Sequence, residues 1–389
     1  MNESFISYIW FNRLYIPVQR TLLGEIVEIV SPGIPNHDSG PDAFNAKLRI
    51  DGHFWAGNVE FHVRASDWHR HHHDSDPAYQ NVILHVVLDA DEQLFTESGS
   101  PIPTVALDYP SFIRSNYDNL ITSPFGCCSR LSEISRINVT SWLEHLLVER
   151  LELRAENIDY ILNETTNDWD EALYVLYARS LGSSVNSDAM QQLALSTPLR
   201  LLRHYSDRPA DLRAMLLGQA GLIQRLPDSF DKPLLEREYA FLRNKYSLTA
   251  PAADFKFCRM RPAAFPTARI VALADSIPNL PSVPDLVGNP ERLSAYSPLS
   301  LINCFLPLLF HYATTHNLPA LQDHIIDMFH TLPAERNRIT RNFSEYGIKA
   351  SSAAESQALI HLHKTRCLSH DCLRCRFAHL LLSKDRNPR

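Results

Sequence analysis

The first hundred residues carry apolar side chains at every second position in several stretches, which is the pattern of half-buried β-strands. Phe44 to Ile50 alternates in this way, Asp51-Gly52 predicts a tight turn, and Phe54 to Val63 predicts the returning strand of a hairpin. Leu22 to Val30 alternates as well, and Val82 to Leu88 is a continuous apolar run typical of a central strand. This part of the chain is therefore expected to form a small sheet.

From Tyr109 onward, apolar residues recur every three or four positions, which is typical of amphipathic helices. Ser141 to Leu162 is the longest such segment. The change of period near Asp108 predicts a chain of two parts, and we expect an α+β protein. Its predicted divisions are an α/β domain with a small mixed sheet (1–108), a mostly α-helical domain (109–366) and a cysteine-containing C-terminal segment packed on the helical domain (367–389).

The composition is that of an ordinary globular chain, since 45% of the 389 residues are hydrophobic and 21% are charged. A net charge of −7 argues against a broadly basic nucleic-acid-binding surface, although it leaves room for a local basic groove. The longest apolar run, Leu301 to Phe310, is too short to span a bilayer and contains Asn303 and Pro307. With no basic and apolar leader at its start, the chain is expected to be cytoplasmic, with no membrane partner.

Two acids and a histidine of the predicted hairpin form the first candidate site. Asp42 follows Pro41 at the entrance to the first strand, and Glu60 and His62 share one face of the second strand. Seventeen residues separate Asp42 from Glu60, so the hairpin can fold the two carboxylates toward each other. The alternative is that Asp42 ends a turn and Glu60 is a solvated strand residue.

The arrangement Pro41-Asp42 followed by Glu60-Phe61-His62 resembles the core motif of the PD-(D/E)XK nuclease superfamily, with His62 where the lysine would be. The resemblance implies a restriction-endonuclease-like fold and a metal-dependent nuclease that acts on nucleic acid. It also implies that Asp42 and Glu60 hold Mg²⁺ or Mn²⁺ and that His62 orients the attacking water. A neutral imidazole lacks the fixed charge of lysine, so His62 can instead serve as a metal ligand or a base.

The segment after this hairpin, Ser66 to Asp76, contains four histidines and three aspartates. Imidazole and carboxylate groups bind divalent metals, so this segment is a second candidate metal site. Asp67 and His69 follow the strand most closely and are the favoured ligands. The alternative is a polar, solvated loop.

Three arginines in the string RMRPAAFPTARI are candidate substrate-binding residues: Arg259, Arg261 and Arg269. Guanidinium groups bind phosphates through paired hydrogen bonds, which suits the backbone of a nucleic acid. The alternative is a structural role, in which the arginines bind carbonyl groups at helix ends.

Three of the seven cysteines lie close together near the C-terminus: Cys367, Cys372 and Cys375. The spacing of Cys372 and Cys375 allows two thiolates to bind one ion, and Cys367 supplies a third ligand, so a metal site is expected here. The spacing leaves the fourth ligand open among histidines and distant cysteines: His363, His370, His379, Cys127, Cys128 and Cys258. The metal is zinc, or iron by resemblance to the iron–sulfur staple of some nucleases; the alternative is a reduced thiol cluster with no metal.

Several strings resemble a bacterial family described as a domain of unknown function: SGPDAFNA, WAGNVEFHVRASDWHRHHHDSDPAYQNVILHVV, RMRPAAFPTARI and CLSHDCLRC. This resemblance supports the domain interpretation and leaves the activity open. Three hypotheses follow for the function. The chain is a metal-dependent nuclease, a non-catalytic nucleic-acid or protein binding module on a degenerate nuclease-like fold, or a metallohydrolase built on the histidine-rich segment.

Overall fold

The computed structural model describes residues 2–36, 38–96, 98–122, 127–258 and 260–384, without the side chains of Cys128 and Ser184. The chain divides into two compact units. The first contains Met1–Trp142, Glu345–Ile348 and Leu362–Arg389, and the second contains Leu143–Ser344 and Lys349–His361. A mixed sheet lies near the N-terminus and a helical region follows it, which confirms the predicted α+β class.

The sheet of the first unit has seven strands: β1 (Val18–Arg20), β2 (Ile26–Ser31), β3 (Ile34–Pro35), β4 (Ala43–Ile50), β5 (His53–Arg64), β6 (Val82–Asp89) and β7 (Thr104–Ala106). Their order is β1-β2-β4-β5-β6-β7, with β3 paired to β4. Neighbouring strands are antiparallel up to β5, whereas β5, β6 and β7 run parallel to one another. The parallel pairs make the sheet mixed, as the sequence predicted.

The hairpin of β4 and β5 forms where the alternating pattern predicted it. Asp51 and Gly52 make its turn with positive φ angles, and both strands extend at most one residue beyond the predicted bounds. Gly57 permits β5 to approach β6 closely, because a Cβ at this position would lie 2.8 Å from the Asn81 carbonyl oxygen. The strand predicted from Leu22 begins only at Ile26, since the chain first turns at Gly24.

Four consecutive residues of β5, Val59 to His62, are buried, so both faces of the strand are covered at this point. Helix α1 (Glu3–Phe11) covers one face, where the rings of Trp10 and Phe61 lie 5.8 Å apart. The opposite face carries Glu60 and His62 and contacts the histidine-rich segment. That segment contains α2 (Asp67–Arg70) and two 3₁₀ turns, at His73–Ser75 and Pro77–Tyr79.

Hydrogen bonds from α3 (Ser111–Thr122) hold the C-terminal helix α17 (Arg376–Leu382) in the first unit. Asn116 Nδ2 donates to the carbonyl groups at the end of α17: Leu381, Leu382 and Lys384. Asn116 Oδ1 accepts from Arg130 in the 3₁₀ turn Cys128–Glu133. The first unit therefore extends beyond residue 108 and includes the cysteine-containing segment (367–389), for which packing on the helical domain is the expectation from sequence.

The second unit is helical, and an extended apolar core includes the fully buried side chains of Tyr174 and Phe305. The predicted helix at Ser141–Leu162 is confirmed within α4. Although α4 is long, neither it nor any other described helix is apolar enough to cross a bilayer. The helices from α4 onward are α4 (Arg136–Glu164), α5 (Trp169–Leu181), α6 (Ser183–Ser196), α7 (Leu199–Arg203), α8 (Pro209–Gln219), α9 (Lys232–Tyr246), α10 (Pro266–Ser276), α11 (Val283–Gly288), α12 (Pro298–Ser300), α13 (Leu306–Thr315), α14 (Pro319–Thr331), α15 (Arg338–Glu345) and α16 (Ala353–Leu362).

Candidate metal centre

The candidate site is built on the face of β5 that carries Glu60 and His62. These residues are 5% and 1% exposed. Parallel pairing places His85 of β6 beside Glu60. The sheet therefore concentrates an acid and two imidazoles away from water, where each polar group needs a partner.

Asp42 and Glu60 meet across the hairpin. The Asp42 N–H donates to Glu60 Oε2 at 3.0 Å, and the Phe61 N–H donates to Asp42 Oδ2 at 2.9 Å. Each carboxylate is thus held by a backbone amide. The second oxygen of Glu60, Oε1, lies 3.8 Å from His62 Nε2 and 3.3 Å from His73 Nε2. Glu60 therefore links the acid pair to the histidines.

Three histidines converge beside Glu60. His62, His71 and His73 each offer a ring nitrogen, and these nitrogens lie within 4.8 Å of one another. The backbone of His72 is left-handed, with φ 60° and ψ 31°. This left-handed conformation lets His71 and His73 face His62, while His72 itself is exposed. Sequence spacing alone does not distinguish His71 and His73 from the other histidines of this segment.

A fourth histidine, His85, contacts the ring nitrogen of His62 that does not face His71. His62 Nδ1 lies 2.8 Å from His85 Nε2, which is a hydrogen-bonding distance. When His62 Nε2 binds a metal, the proton of His62 lies on Nδ1 and is donated to His85. An outer hydrogen bond of this kind fixes the tautomer and the ring orientation of a metal-binding histidine.

Burial raises the pKa of both carboxyl groups of the site. The pKa of Asp42 rises to about 6 through desolvation, against the opposing effect of the Phe61 N–H. The pKa of Glu60 rises to about 9, because the charge of Asp42 adds to desolvation. At neutral pH the metal-free site therefore holds a protonated Glu60 beside an Asp42 that is close to its own titration point.

The buried imidazoles are neutral. Desolvation and neighbouring histidines lower the pKa of His62 to about 3, of His73 to about 4 and of His85 to about 3. His73 also stacks on Tyr79, with ring centroids 3.7 Å apart. A neutral imidazole offers a lone pair to a metal, so the site presents nitrogen donors together with the carboxylate of Glu60.

Asp67 and His69, the ligands favoured by the sequence, bond to other residues. Asp67 is buried, accepts a hydrogen bond from the Arg64 N–H at 3.1 Å and forms an ion pair with Arg70 at 2.7 Å. His69 Nδ1 lies 2.7 Å from Asp74 Oδ2, and this hydrogen bond raises the pKa of His69. These contacts fix the shape of the histidine-rich segment, and neither residue belongs to the group of three converging histidines.

A pocket of about 520 Å³ adjoins the site. His73 lines this pocket and also belongs to the histidine cluster. Aromatic rings form part of the wall, namely those of Trp68, Tyr79 and Phe95, and polar groups form another part: Asp74, Asp76, Gln80, Thr96 and Ser98. A molecule bound in the pocket would therefore lie next to a candidate metal ligand.

The candidate substrate-binding arginines lie apart from this centre in the chain. Arg261 is exposed at the start of the 3₁₀ turn Pro262–Ala264. Arg269 is on α10, and its Nε is buried without a hydrogen-bond partner among the described residues. Both belong to the second unit, and Arg259 lies outside the described residues. The candidate centre is thus made of first-unit residues.

The cysteines predicted to bind metal are in the first unit. Cys375 is buried and directly precedes α17, whereas Cys367 and Cys372 are partly exposed. No disulfide joins the cysteines whose side chains the structure describes. Among the described residues, the group whose ligand atoms converge within 4.8 Å of one another contains histidines and none of these cysteines.

Comparison with known proteins shows a family relationship and no functional precedent. Neither a curated protein nor a solved structure matches the chain. A family model described as "Protein of unknown function (DUF2851)" matches residues 3–298, a stretch that includes the candidate centre on β5. Because this match covers more than half of the chain, the protein belongs to the DUF2851 family.

Proposed function

We propose that the protein is a metal-dependent hydrolase with its centre on β5, and that it cleaves phosphodiester bonds in nucleic acid. The observation that carries the proposal is the convergence of three histidines, two of which, His62 and His73, lie 3.8 and 3.3 Å from one oxygen of Glu60. Burying such groups is costly unless a cation shares them, and strongly shifted pKa values cluster at functional sites. A divalent metal is the ligand that this combination of donors favours.

In this proposal, His62, His71 and His73 supply nitrogen ligands and Glu60 supplies an oxygen ligand. Nitrogen donors favour zinc, manganese or iron(II) over magnesium, because magnesium prefers a shell made of oxygen atoms. His71 is exposed, so the centre is accessible to solvent on that side. The donor set thus narrows the expected cofactor to manganese or another transition metal.

Asp42 is the residue suited to accept a proton. A divalent metal would lower the pKa of a bound water and polarise a phosphoryl oxygen. The pKa of Asp42, about 6, lies near neutral pH, and its side chain is partly exposed. Both properties favour a general base. Asp42 and Glu60 then have different roles, one as a base and the other as a ligand.

Two features support a nucleic acid as the substrate. The placement of Asp42, Glu60 and His62 on a hairpin resembles the PD-(D/E)XK core, so a restriction-endonuclease-like fold is part of the proposal. The pocket beside His73 has aromatic walls, on which bases can stack. The carboxylates of Asp74 and Asp76 in the pocket repel phosphates. We therefore expect the bases of the nucleic acid to enter the pocket and its sugar-phosphate backbone to remain outside.

Metal binding is tested by counting the ions bound to purified variants. His71→Ala and His73→Ala are expected to weaken zinc or manganese binding at least about tenfold, because each removes a ligand. His72→Gly is the matched control, since it removes an imidazole of the same segment that is not in the cluster. Glycine also suits the left-handed backbone of His72. An equal loss in this control would contradict the ligand set.

Activity is tested by cleavage of labelled single- and double-stranded DNA and RNA with Zn²⁺, Mn²⁺ or Mg²⁺. Asp42→Asn is expected to bind metal but to lose activity at least about 100-fold, because it removes the base. Glu60→Ala is expected to lose both metal and activity. Cleavage that survives in both variants would assign the activity to another site. Inactivity of the metal-loaded protein on every substrate would favour a non-catalytic binding module.

A further inference from the structure

We propose that single-stranded nucleic acid binds along the exposed side of strands β1, β2, β4 and β5, on a path that ends at the centre formed by Glu60 and His62. The inference rests on the proposed function, since it names the surface by which that substrate reaches the centre. The partner is a single strand, whose bases stack on aromatic rings and whose phosphates are attracted to cations.

The strand register places one row of side chains on the same side of the sheet. Phe54 on β5 is paired with Arg49 on β4, and Arg49 is paired with Glu28 on β2. Glu28 is in turn paired with Val18 on β1. Directly paired residues share a face of an antiparallel sheet, and so does every second residue along a strand. These rules place the following exposed residues together, and we call them the open face: Val18, Arg20, Ile26, Glu28, Lys47, Arg49, Phe54 and Ala56.

The protein's own core covers the other side of these strands. Val27, Leu48 and Ile50 alternate with residues of the open face and are at most 5% exposed. On the open face, by contrast, Phe54 is 60% exposed and Val18 is 52% exposed. Apolar side chains that share an exposed face, with polar groups around them, mark interaction surfaces. The open face therefore has the character of a binding surface.

Cations lie among the apolar side chains of the open face. Lys47 and Arg49 are exposed and form no ion pair with a described residue. Arg20 donates to the Gly24 carbonyl at 3.1 Å and likewise forms no ion pair with a described acid. Glu28 is the acid of the open face, so positive charge is in excess here although the whole chain has a net charge of −7. This local excess favours a polyanion over a second copy of the chain.

Phe54 favours a single strand over a duplex. A base can stack on an exposed ring only when it is not already enclosed in a duplex, and sheets that carry aromatic side chains are known platforms for unpaired bases. Arg49 is the cross-strand neighbour of Phe54, with Cβ atoms about 5 Å apart in such a pair. The two side chains can therefore bind one base and an adjacent phosphate together.

The open face continues into the candidate centre along β5. Phe54, Ala56, Asn58, Glu60 and His62 are alternate residues of this strand, so their side chains point to the same side. The extra residues that shift the pairing register lie on β4 and β6, and the alternation of β5 is not interrupted. Side chains become more buried along this line, from exposed Phe54 to buried His62. The strand rises roughly 20 Å from Phe54 to Glu60, at about 3.3 Å per residue, which a few nucleotides can span.

The test is the affinity for a labelled single strand of about 12 nucleotides, measured by fluorescence anisotropy in a chelator so that no metal-dependent cleavage takes place. Phe54→Ala should weaken binding at least about fivefold, because it removes the ring on which a base stacks. Phe241→Ala is the matched control, since Phe241 on α9 is 61% exposed and belongs to the second unit. It should bind as the wild type does.

Salt dependence tests the cations separately. Replacing Lys47 and Arg49 together by Gln should reduce the slope of log affinity against log salt concentration by about 1.4, because each phosphate contact with a single strand contributes about 0.7. An unchanged slope would show that these side chains do not contact phosphates and would overturn their assignment.

The outcomes separate this inference from the proposed hydrolase. Weaker binding by Phe54→Ala alone would support the open face even if the metal-loaded protein cleaves nothing. Wild-type protein that binds neither DNA nor RNA strands, or equal binding by Phe54→Ala, would overturn the inference even if the centre on β5 cleaves nucleic acid. A wild-type dimer that Phe54→Ala converts to a monomer in sedimentation, with no nucleic acid bound, would assign the open face to a second copy of the chain instead.

Discussion

The metal-free fold favours a protonated Glu60, whereas metal binding would require an ionised Glu60. Its pKa of about 9 reflects burial and the charge of Asp42, so ionisation at neutral pH is resisted in the metal-free protein. Glu60→Gln keeps the shape of the side chain and removes the ionisable proton. This substitution should raise the free energy of unfolding at pH 7 by roughly 3 kcal/mol, from 1.36 kcal/mol for each pKa unit between 4.5 and 7.

Denaturant titration in the presence of a chelator measures this difference. Glu28→Gln, at an exposed position of β2, is the matched control and should change the stability by less than about 0.5 kcal/mol. A Glu60→Gln variant no more stable than the wild type would show that Glu60 is ionised in the metal-free protein, contrary to its raised pKa.

The sequence predicted an encounter of Asp42 with Glu60, because strand alternation and a two-residue turn determine where both residues lie. It did not identify His71 and His73, the two histidines of the segment after β5 that converge on His62. Their direction depends on the left-handed backbone of His72, and the apolar pattern does not encode a φ angle. Histidine is among the residues that occupy this region more often than most, which is a weak signal. Closeness to the strand favoured His69, whose Nδ1 instead lies 2.7 Å from Asp74.

At the scale of elements, one amide on α3 holds the end of α17. Asn116 is 3% exposed, and its Nδ2 donates to three carbonyls at distances from 3.2 to 3.3 Å. A helix leaves its last carbonyls without internal partners, so these bonds cap α17. Asn116→Ala removes the cap and leaves the carbonyl of buried Leu382 without this donor, while the Leu381 carbonyl keeps its bond from Arg130. The free energy of unfolding should fall by roughly 2 to 3 kcal/mol.

Thermal or denaturant unfolding tests this cap. Asn119→Ala, at an exposed position of the same helix, is the matched control and should have an effect below about 0.5 kcal/mol. If both variants unfold at the same denaturant concentration, water must satisfy the carbonyls of α17 as well as Asn116 does.

The periodicity of apolar residues predicts where individual helices and strands lie. It does not predict which compact unit each of them belongs to. The β4–β5 hairpin and α4 lie close to their expected positions, since each has a strong period of its own. The return of the C-terminal segment to the first unit depends on contacts such as Asn116 with Leu381, which are 265 positions apart. No pattern within a short window can encode such a contact, and the first compact unit includes residues up to Trp142 and from Leu362 onward.

At the scale of the whole molecule, the buried centre makes stability depend on pH in two directions. His62, His73 and His85 have lowered pKa values, so the stability they contribute is present above about pH 6.5 and is lost as the pH falls. Glu60 and Asp42 have raised pKa values, so the stability they contribute is present at low pH and is lost as the pH rises through about 6 for Asp42 and about 9 for Glu60. At pH 6.5 and below, the three histidines outweigh the two carboxyl groups. Glu60 dominates only above about pH 7, where the histidines are neutral in the unfolded chain as well.

The metal-free protein should therefore be most stable near pH 7 and should lose about 1 kcal/mol of unfolding free energy per pH unit between pH 7.5 and 8.5. Metal binding requires an ionised Glu60, so saturating zinc should stabilise the protein more at higher pH and remove this loss. Denaturant midpoints at pH 5, 7 and 8.5, with chelator and with zinc, measure both effects. Glu60→Gln has no proton to lose and should show no alkaline decrease. A wild-type stability that keeps rising to pH 8.5 in chelator would contradict a protonated, buried Glu60.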